Sequence, residues 1–311
     1  MRKFSWVKKG IMFSPNGQGN MINSHAQIMA PIVIEDKLRI YFSSRPKPNM
    51  TLPFYADFDL NNFKLLHLNT DPILKLGKPG TFDEHGIMPS CVIKNNSDIY
   101  LYYSGWQQSV GVPYNNYTGL AISNDNGNTF KKYSDAPVLD RKNSELYSAT
   151  SPYVLKEKGL WHTWYSSGTG WHEENGKLEH TYDLKYAYSK DGKKWNQEGK
   201  IGIKSYNEHE ALCKPAIIKL DNIFFMWFSY RGSKGFRDGS ESYRIGMAYS
   251  DDLINWKRDD KASGIDISKS GWDSKMIAYP SIIKIKSDYY MFYNGNSFGK
   301  DGFGYAVLNI Y

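Results

Sequence analysis

Acidic side chains recur at fixed distances ahead of a series of prolines. Glu145, Glu208 and Asp273 stand seven residues before Pro152, Pro215 and Pro280. Glu84 and Glu210 stand five before Pro89 and Pro215, and Asp83 precedes Glu84. Two facing carboxyl groups can split an acetal bond between sugars: one protonates the leaving oxygen, and the other activates water or attacks the anomeric carbon. Asp83 and Glu210 are the first such pair expected here, followed by Asp273, Glu208 and Glu84. His25 and His85 lie in the same lead-in segments, as acids, orienting partners or hydrogen-bonders. Trp106, Trp171, Arg231, Glu145 and Tyr279 are the other residues expected to touch substrate, because aromatic faces stack on sugar rings and polar groups fix their hydroxyls. Arg231, Arg237 and Arg244 would suit a phosphate. No His, Cys or acid spacing reads as a metal site.

These residues need a scaffold that brings distant segments together, and the chain repeats in a way that supplies one. A proline followed by β-branched residues opens each unit, at Pro31, Pro89, Pro152, Pro215 and Pro280, spaced 58, 63, 63 and 65 residues apart. A polar turn follows, then an aromatic strand: RIYFSSR from Arg39, YLYYSGW from Tyr100, WHTWYSSG from Trp161, FFMWFSYRG from Phe224 and YYMFYNG from Tyr289. A third strand comes next, then a turn and a closing aromatic residue. Strands of this kind joined by Asn-, Asp- and Gly-rich turns, repeated at such a period, predict an all-β, five-bladed β-propeller with four antiparallel strands per blade. The fifth unit lacks its outer strand, and Phe4-Ser5-Trp6-Val7 is expected to supply it, closing the ring and covering an edge. Residues 1–311 then form one domain. The long connections Arg45–Leu52, Trp106–Tyr117, Gly168–Asp183, Arg231–Tyr243 and Asn296–Gly302 fall on one face, where binding is expected.

Composition narrows the classes. The chain has 311 residues, 41% of them hydrophobic, with a formal charge of +7. Its lysines and arginines are scattered and form no RNA-binding signature, so nucleic acid is not an expected partner. No apolar run is long enough to span a bilayer and no signal peptide is visible, so no membrane partner is expected and the cytoplasm is the expected location. Cys91 and Cys213 cannot form a disulfide framework and are expected as buried thiols. The 24 tyrosines, 15 phenylalanines and 9 tryptophans fit both a packed β core and a carbohydrate-binding surface.

The pattern A-x-S-x-D-x-x-x-W occurs at Ala187-Tyr188-Ser189-Lys190-Asp191 with Trp195, and at Ala248-Tyr249-Ser250-Asp251-Asp252 with Trp256. With the proline repeat, it makes the whole chain resemble the five-bladed glycosidases of glycoside hydrolase family 43 and its relatives in families 32, 68, 62, 117 and 130. That resemblance implies a hydrolase or phosphorylase acting on a carbohydrate or glycoconjugate, in some relatives with calcium or another ion in the channel, although no cofactor is required by the residues themselves. The acids such families place beside their prolines are here Ala30, Met88, Thr150 and Cys213. Catalysis is therefore expected to have shifted to the upstream acids. The alternative is a non-hydrolytic sugar-binding or glycosyl-transferring protein of cytoplasmic surface-polysaccharide synthesis. An anionic ligand fits the basic charge, and the oligomeric state stays open.

Overall fold

The computed structural model describes residues 2–19, 21–237 and 239–311. Strand β1 (Phe4–Phe13) opens the chain, and the later strands pair antiparallel with their sequence neighbours in fours. The first unit is β2 (Gln27–Ile34), β3 (Lys37–Ser44), β4 (Leu52–Asp59) and β5 (Leu65–Asn69). The second is β6 (Gly86–Asn95), β7 (Asp98–Gln108), β8 (Tyr114–Ser123) and β9 (Lys131–Lys132). The third is β10 (Ala149–Glu157), β11 (Leu160–Glu174), β12 (Lys177–Ser189) and β13 (Asn196–Ile203). The fourth is β14 (Ala211–Leu220), β15 (Ile223–Arg231), β16 (Arg244–Ser250) and β17 (Lys257–Arg258). The last is β18 (Ala278–Ile285), β19 (Asp288–Asn294) and β20 (Phe303–Ile310), with β1 paired to β20 as its outer strand. Helix is confined, among the described residues, to single turns at Asp260–Ala262 and Asn296–Gly299. None is long and apolar enough to cross a membrane.

The core lies between units. Each sheet alternates side chains across its two faces, so both faces must be covered. Tyr41 and Tyr55 of the first unit pack with Leu101 and Tyr103 of the second. Tyr102 packs with Trp161 of the third, Trp164 with Met226 of the fourth, Trp227 with Tyr293 of the last, and Phe292 with Phe42 of the first. The first strands β2, β6, β10, β14 and β18 each lie beside the next, and β18 lies beside β2.

Polar ties register these faces. Tyr41 donates its hydroxyl to the Gly127 carbonyl at 2.8 Å, and Tyr102 donates to the Gly192 carbonyl at 2.6 Å. Both glycines sit in the turn of the following unit, at φ 76° and 71°. The Ser-x-Asp sequences build these turns. Ser189 Oγ accepts the Asp191 and Gly192 N–H groups, and the Asp191 carboxylate accepts those of Lys193 and Lys194. The repeated motif is thus a turn-builder rather than a site.

One expectation changes. The stretch from Gly168 to Asp183 is not an open loop: β11 and β12 run on as a hairpin, with Trp171 opposite His180. Asn175 and Gly176, both in the left-handed region at φ 51° and 72°, make the two-residue turn this requires.

A Cβ on Gly127 would lie 2.1 Å from the Tyr41 hydroxyl. Gly127→Ala is therefore expected to destabilise the protein by roughly 2–4 kcal/mol, from left-handed strain plus overpacking. Chemical denaturation of the two proteins measures it.

Candidate functional site

The mouth is organised by one rung repeated in every unit. At the top of each first strand, a residue pairs with a small polar residue on the second strand: Gln27 with Ser43, Met88 with Ser104, Thr150 with Ser166, Cys213 with Ser229 and Ala278 with Asn294. A bulge follows in all five. The residue after the rung is left-handed in four of them: Ile28, Ser151, Lys214 and Tyr279, at φ 50–58°. Non-glycine residues held there signal a position fixed by its surroundings. Pro152, Pro215 and Pro280 fall two residues after the rung, but Pro89 falls one after and Pro31 four after. The proline repeat is therefore out of phase in the first two units, where proline tolerance on the strand, not the bulge, fixes its place. No rung residue and no residue following one is an acid.

The upstream acids have a different role. Asp83, Glu145 and Asp273 each lie five residues before their rung and accept the hydroxyl of Tyr103, Tyr165 and Tyr293, at 2.9, 2.8 and 3.0 Å. Asp83 also meets Lys132 of β9 at 2.6 Å, and Asp273 meets Lys8 of β1 at 2.7 Å. Glu210 is gripped by both Arg258 terminal nitrogens, at 2.7 and 2.9 Å, from β17. These carboxylates are buried, and Asp83, Asp273 and Glu210 reach outward to the outer strand of their own unit. They fasten each lead-in segment to its sheet, and no two of them share a partner. The expected facing of Asp83 and Glu210 across the channel is not seen in these contacts. Glu84 accepts the Gly80 N–H and stands 3.5 Å from His85, while Glu208 is exposed beside His209. His85 stacks near Trp106, whose indole donates to Thr51 at 3.2 Å.

The mouth itself is cationic and aromatic. Arg231 and Arg237 lie over the same ring, that of Phe236, at 3.7 and 4.4 Å. Arg231 is buried and donates to Tyr243, to the Gly232 carbonyl and to the His180 carbonyl. Arg237 grips the buried Glu179 at 2.8 and 2.9 Å. Tyr243 packs on Tyr279 with ring centroids 5.5 Å apart. Burial, with Cys213 beside it, pushes the Tyr279 phenol up, while Arg45 and Arg231 draw it down. Arg45 is exposed at the rim and bonds Gln27 at 2.8 Å; desolvation and the charge of Arg237 hold it below its ordinary value. His25 bonds Ser24 at 2.6 Å and is pulled down to about 3 by burial, Arg45 and Lys300. Trp171 stacks on His180 at 4.0 Å, and Tyr114 meets Tyr182 hydroxyl to hydroxyl at 3.2 Å.

Of the residues expected from sequence, His25, Trp171, Arg231, Arg237 and Tyr279 thus belong to this cluster. Arg45, Glu179, Tyr243 and Lys214 were missed. The offset that marks Tyr279, directly before Pro280, also marks Lys214 before Pro215.

Residues 59–224 match the glycosyl hydrolases family 32 N-terminal domain, more than half of the chain. The chain belongs to this family. Uncharacterized protein Rv1502 of Mycobacterium tuberculosis (strain ATCC 25618 / H37Rv) is 35% identical over 307 residues, 98% of this chain and 99% of that one. The 1,2-beta-oligomannan phosphorylase of Thermoanaerobacter sp. (strain X514) is 33% identical over 134 residues, 41% of this chain and 43% of that one. Among solved structures, a thermostable family-43 glycoside hydrolase aligns with a TM-score of 0.67 at 18% identity, over 92% of this chain and 89% of that one. Bombyx mori GH32 beta-fructofuranosidase BmSUC1 aligns at 0.60 and 17%, over 92% and 61%. The fold is accordingly that of the propeller-like glycosidases of families 43 and 32.

A channel ion, implied by that family resemblance, can be tested against the residues present. Among the described residues, no three His, Cys, Asp or Glu side chains gather to hold a metal. In this family 32 domain Lys214 instead puts a buried cation between the fourth and last units. Its amine leaves β14 and bonds Ser281 of β18 at 2.8 Å, with the Pro280 carbonyl at 3.5 Å. The side chain is fully buried. An ammonium there repels a cation, so the donor set does not fit one. Desolvation lowers the Lys214 amine from 10.5 to about 8, partly offset by Cys91 and Cys213, whose thiols burial pushes up.

Three outcomes follow for the family 32 domain. Lys132→Met leaves Asp83 buried and unpaired, and is expected to cost on the order of 3–5 kcal/mol by urea unfolding. Asp83→Asn should lower stability as well, through the bonds to Tyr103 and Lys132. The Lys214 amine binds fewer protons folded than unfolded between pH 8 and 10.5. Wild-type stability should therefore rise across that window relative to Lys214→Met, by on the order of 3 kcal/mol. Unfolding free energies at pH 7, 8, 9 and 10 give the curve.

Proposed function

We propose that this chain is a carbohydrate-active enzyme, a five-bladed propeller spanning residues 1–311 as one domain, whose mouth transfers a glycosyl group to or from phosphate. The cyclic contact of the five first strands and the pairing of β1 with β20 support the architecture. The observation that carries the activity is the set of Arg45, Arg231 and Arg237 gathered around Tyr279 and Phe236, where a carboxylate pair would be needed for hydrolysis. Guanidinium groups at this mouth, Arg231 buried and Arg45 and Arg237 exposed, suit a phosphate by charge and by fork geometry. Partial similarity to an oligomannan phosphorylase agrees with this reading.

In such a reaction a phosphate oxygen bonds to the anomeric carbon as the glycosidic carbon–oxygen bond breaks, and the departing oxygen takes a proton. Glu179 is the buried carboxyl group in contact with the arginines. An incoming hydrogen phosphate that draws Arg237 away brings the proton that the departing oxygen takes, and frees the Glu179 carboxylate to relay it. Phosphate binding and proton supply are thereby coupled. The absence of a carboxylate from the rung also favours a second reading, a sugar-binding or glycosyl-transferring protein that hydrolyses nothing.

Incubating the protein with a panel of glycosides and inorganic phosphate, and assaying glycosyl phosphate, tests the proposal. Arg45→Gln, Arg237→Gln and Glu179→Gln should each lower turnover by about a hundredfold or more without unfolding. Release of free sugar at the same rate with and without phosphate would sink phosphorolysis. Binding of sugars with no turnover at all would favour the second reading.

A further inference from the structure

Arg231 must meet solvent before it can meet an anion, yet it is only 3% exposed. Each of its three side-chain nitrogens already donates, to Tyr243, to the Gly232 carbonyl and to the His180 carbonyl. The first two partners belong to its own unit. The third lies on the hairpin that β11 and β12 extend from the third unit, so this hairpin is the movable part of the cover.

The hairpin leaves its sheet at a bent and poorly supported place. The last residue of β11 paired to β10 is Ser167, opposite Ala149, and β12 meets β14 only at Tyr182, opposite Ala211. From residue 169 to residue 181 no third strand flanks the pair, among the described residues. A bulge breaks the β11–β12 register between Gly168 and Gly170, where the two strands clear the sheet. Bulges bend the strand that carries them, and the two glycines give the backbone room to change its angle there. A two-stranded ribbon standing alone is marginal in water, so its position depends on what it rests against.

Its polar fastenings are few. Among the described residues, only two side chains from outside the hairpin bond to residues 169–181. Arg237 Nη2 holds the Glu179 carboxylate at 2.8 and 2.9 Å, and Arg231 Nη2 reaches the His180 carbonyl at 2.7 Å. The rest of the seat is aromatic: Trp171 meets Tyr114 with centroids 5.2 Å apart, and His172 meets His209 at 4.9 Å. The seat is also imperfect. Both His180 ring nitrogens are buried without a partner, a cost of about 1–3 kcal/mol for each orphan that water would relieve once the hairpin rises. Raising it frees Nη2 of Arg231 and of Arg237 together.

We propose that the hairpin over Gly168–Asp183 is a hinged lid on the mouth, held down by the Glu179–Arg237 pair. It regulates the site of the reading above and rests on that reading for its ligand: an anion that takes the arginine donors binds the raised form better, and so shifts the lid toward it.

Hydrogen–deuterium exchange of the full chain, with trypsin cleavage after the exposed Lys177 at the tip as a second readout, tests the lid. Amides of residues 170–181 should exchange about tenfold faster in Glu179→Gln and in Arg237→Gln than in wild type. The double variant should go no faster, while β10 and residues 184–189 keep their protection. Inorganic phosphate should speed the same amides in wild type and leave Arg237→Gln unchanged. Equal exchange in wild type and both single variants overturns the lid, even where phosphate has an effect, since the pair would then hold nothing down. Protection lost from β10, β11 and β12 alike also overturns it, because the pair would brace the whole unit. Variants that release the hairpin where phosphate does not support the latch and count against phosphate at these arginines.

Discussion

A hydrogen bond from a backbone N–H to a serine or asparagine of the neighbouring unit governs the centre of this molecule. The donor residue can present its N–H across the joint only by turning into the left-handed region, and the strand accommodates that turn as a bulge. Four residues turn this way, at a cost of order 1–3 kcal/mol each, and for Ser151, Tyr279 and Ile28 it is set against a buried bond to Ser104, Ser229 and Asn294, between sheets that otherwise meet through apolar side chains. The same turn sets where the Tyr279 and Lys214 side chains point, because the backbone beneath them is bent.

Charge is distributed by radius. The buried acids Asp83, Asp273 and Glu210 are spent on Lys132, Lys8 and Arg258 toward the outer strands. The mouth keeps arginines, with Glu179 as their buried carboxylate. Where the second strand offers a tyrosine (Tyr103, Tyr165, Tyr293), an acid stands five residues before the rung; where it offers Phe42, Ile22 takes that place instead. An acid and its tyrosine are thus one device for tying a long lead-in segment to a sheet.

The repeat was open to reading because it rests on strand chemistry: alternation, aromatic second strands, and polar turns at a steady period. The missing outer strand of the last unit and the extra one at Phe4–Phe13 could be matched by their Trp pattern. Phase was harder. Proline marks a strand that tolerates it, not the bulge, so Pro31 and Pro89 point to the wrong rung. Glu145 and Asp273 have the right spacing for a shared role, and the role proves to be a bond to tyrosine, which no spacing within one segment reveals. Arg45, Arg231 and Arg237 come from two connections far apart in sequence, and only the ring of units brings them to one ligand. The hairpin over Gly168–Asp183 was hidden by its length, although Asn175-Gly176 carried the turn signal.

The antiparallel pairing of β1 with β20 joins residues 4–13 to residues 303–310. Such a contact has the greatest sequence separation the chain allows, and loop closure over that span comes late. During synthesis the first strand, with Phe4 and Trp6 destined for the core of the last unit, stays unpaired until β20 has been made. Four sheets can assemble before it, with one face of the first and one face of the fourth left bare. The apolar faces of the first and fourth units then wait for a sheet that the two ends build together, and in that interval the molecule is most exposed to association with its own copies.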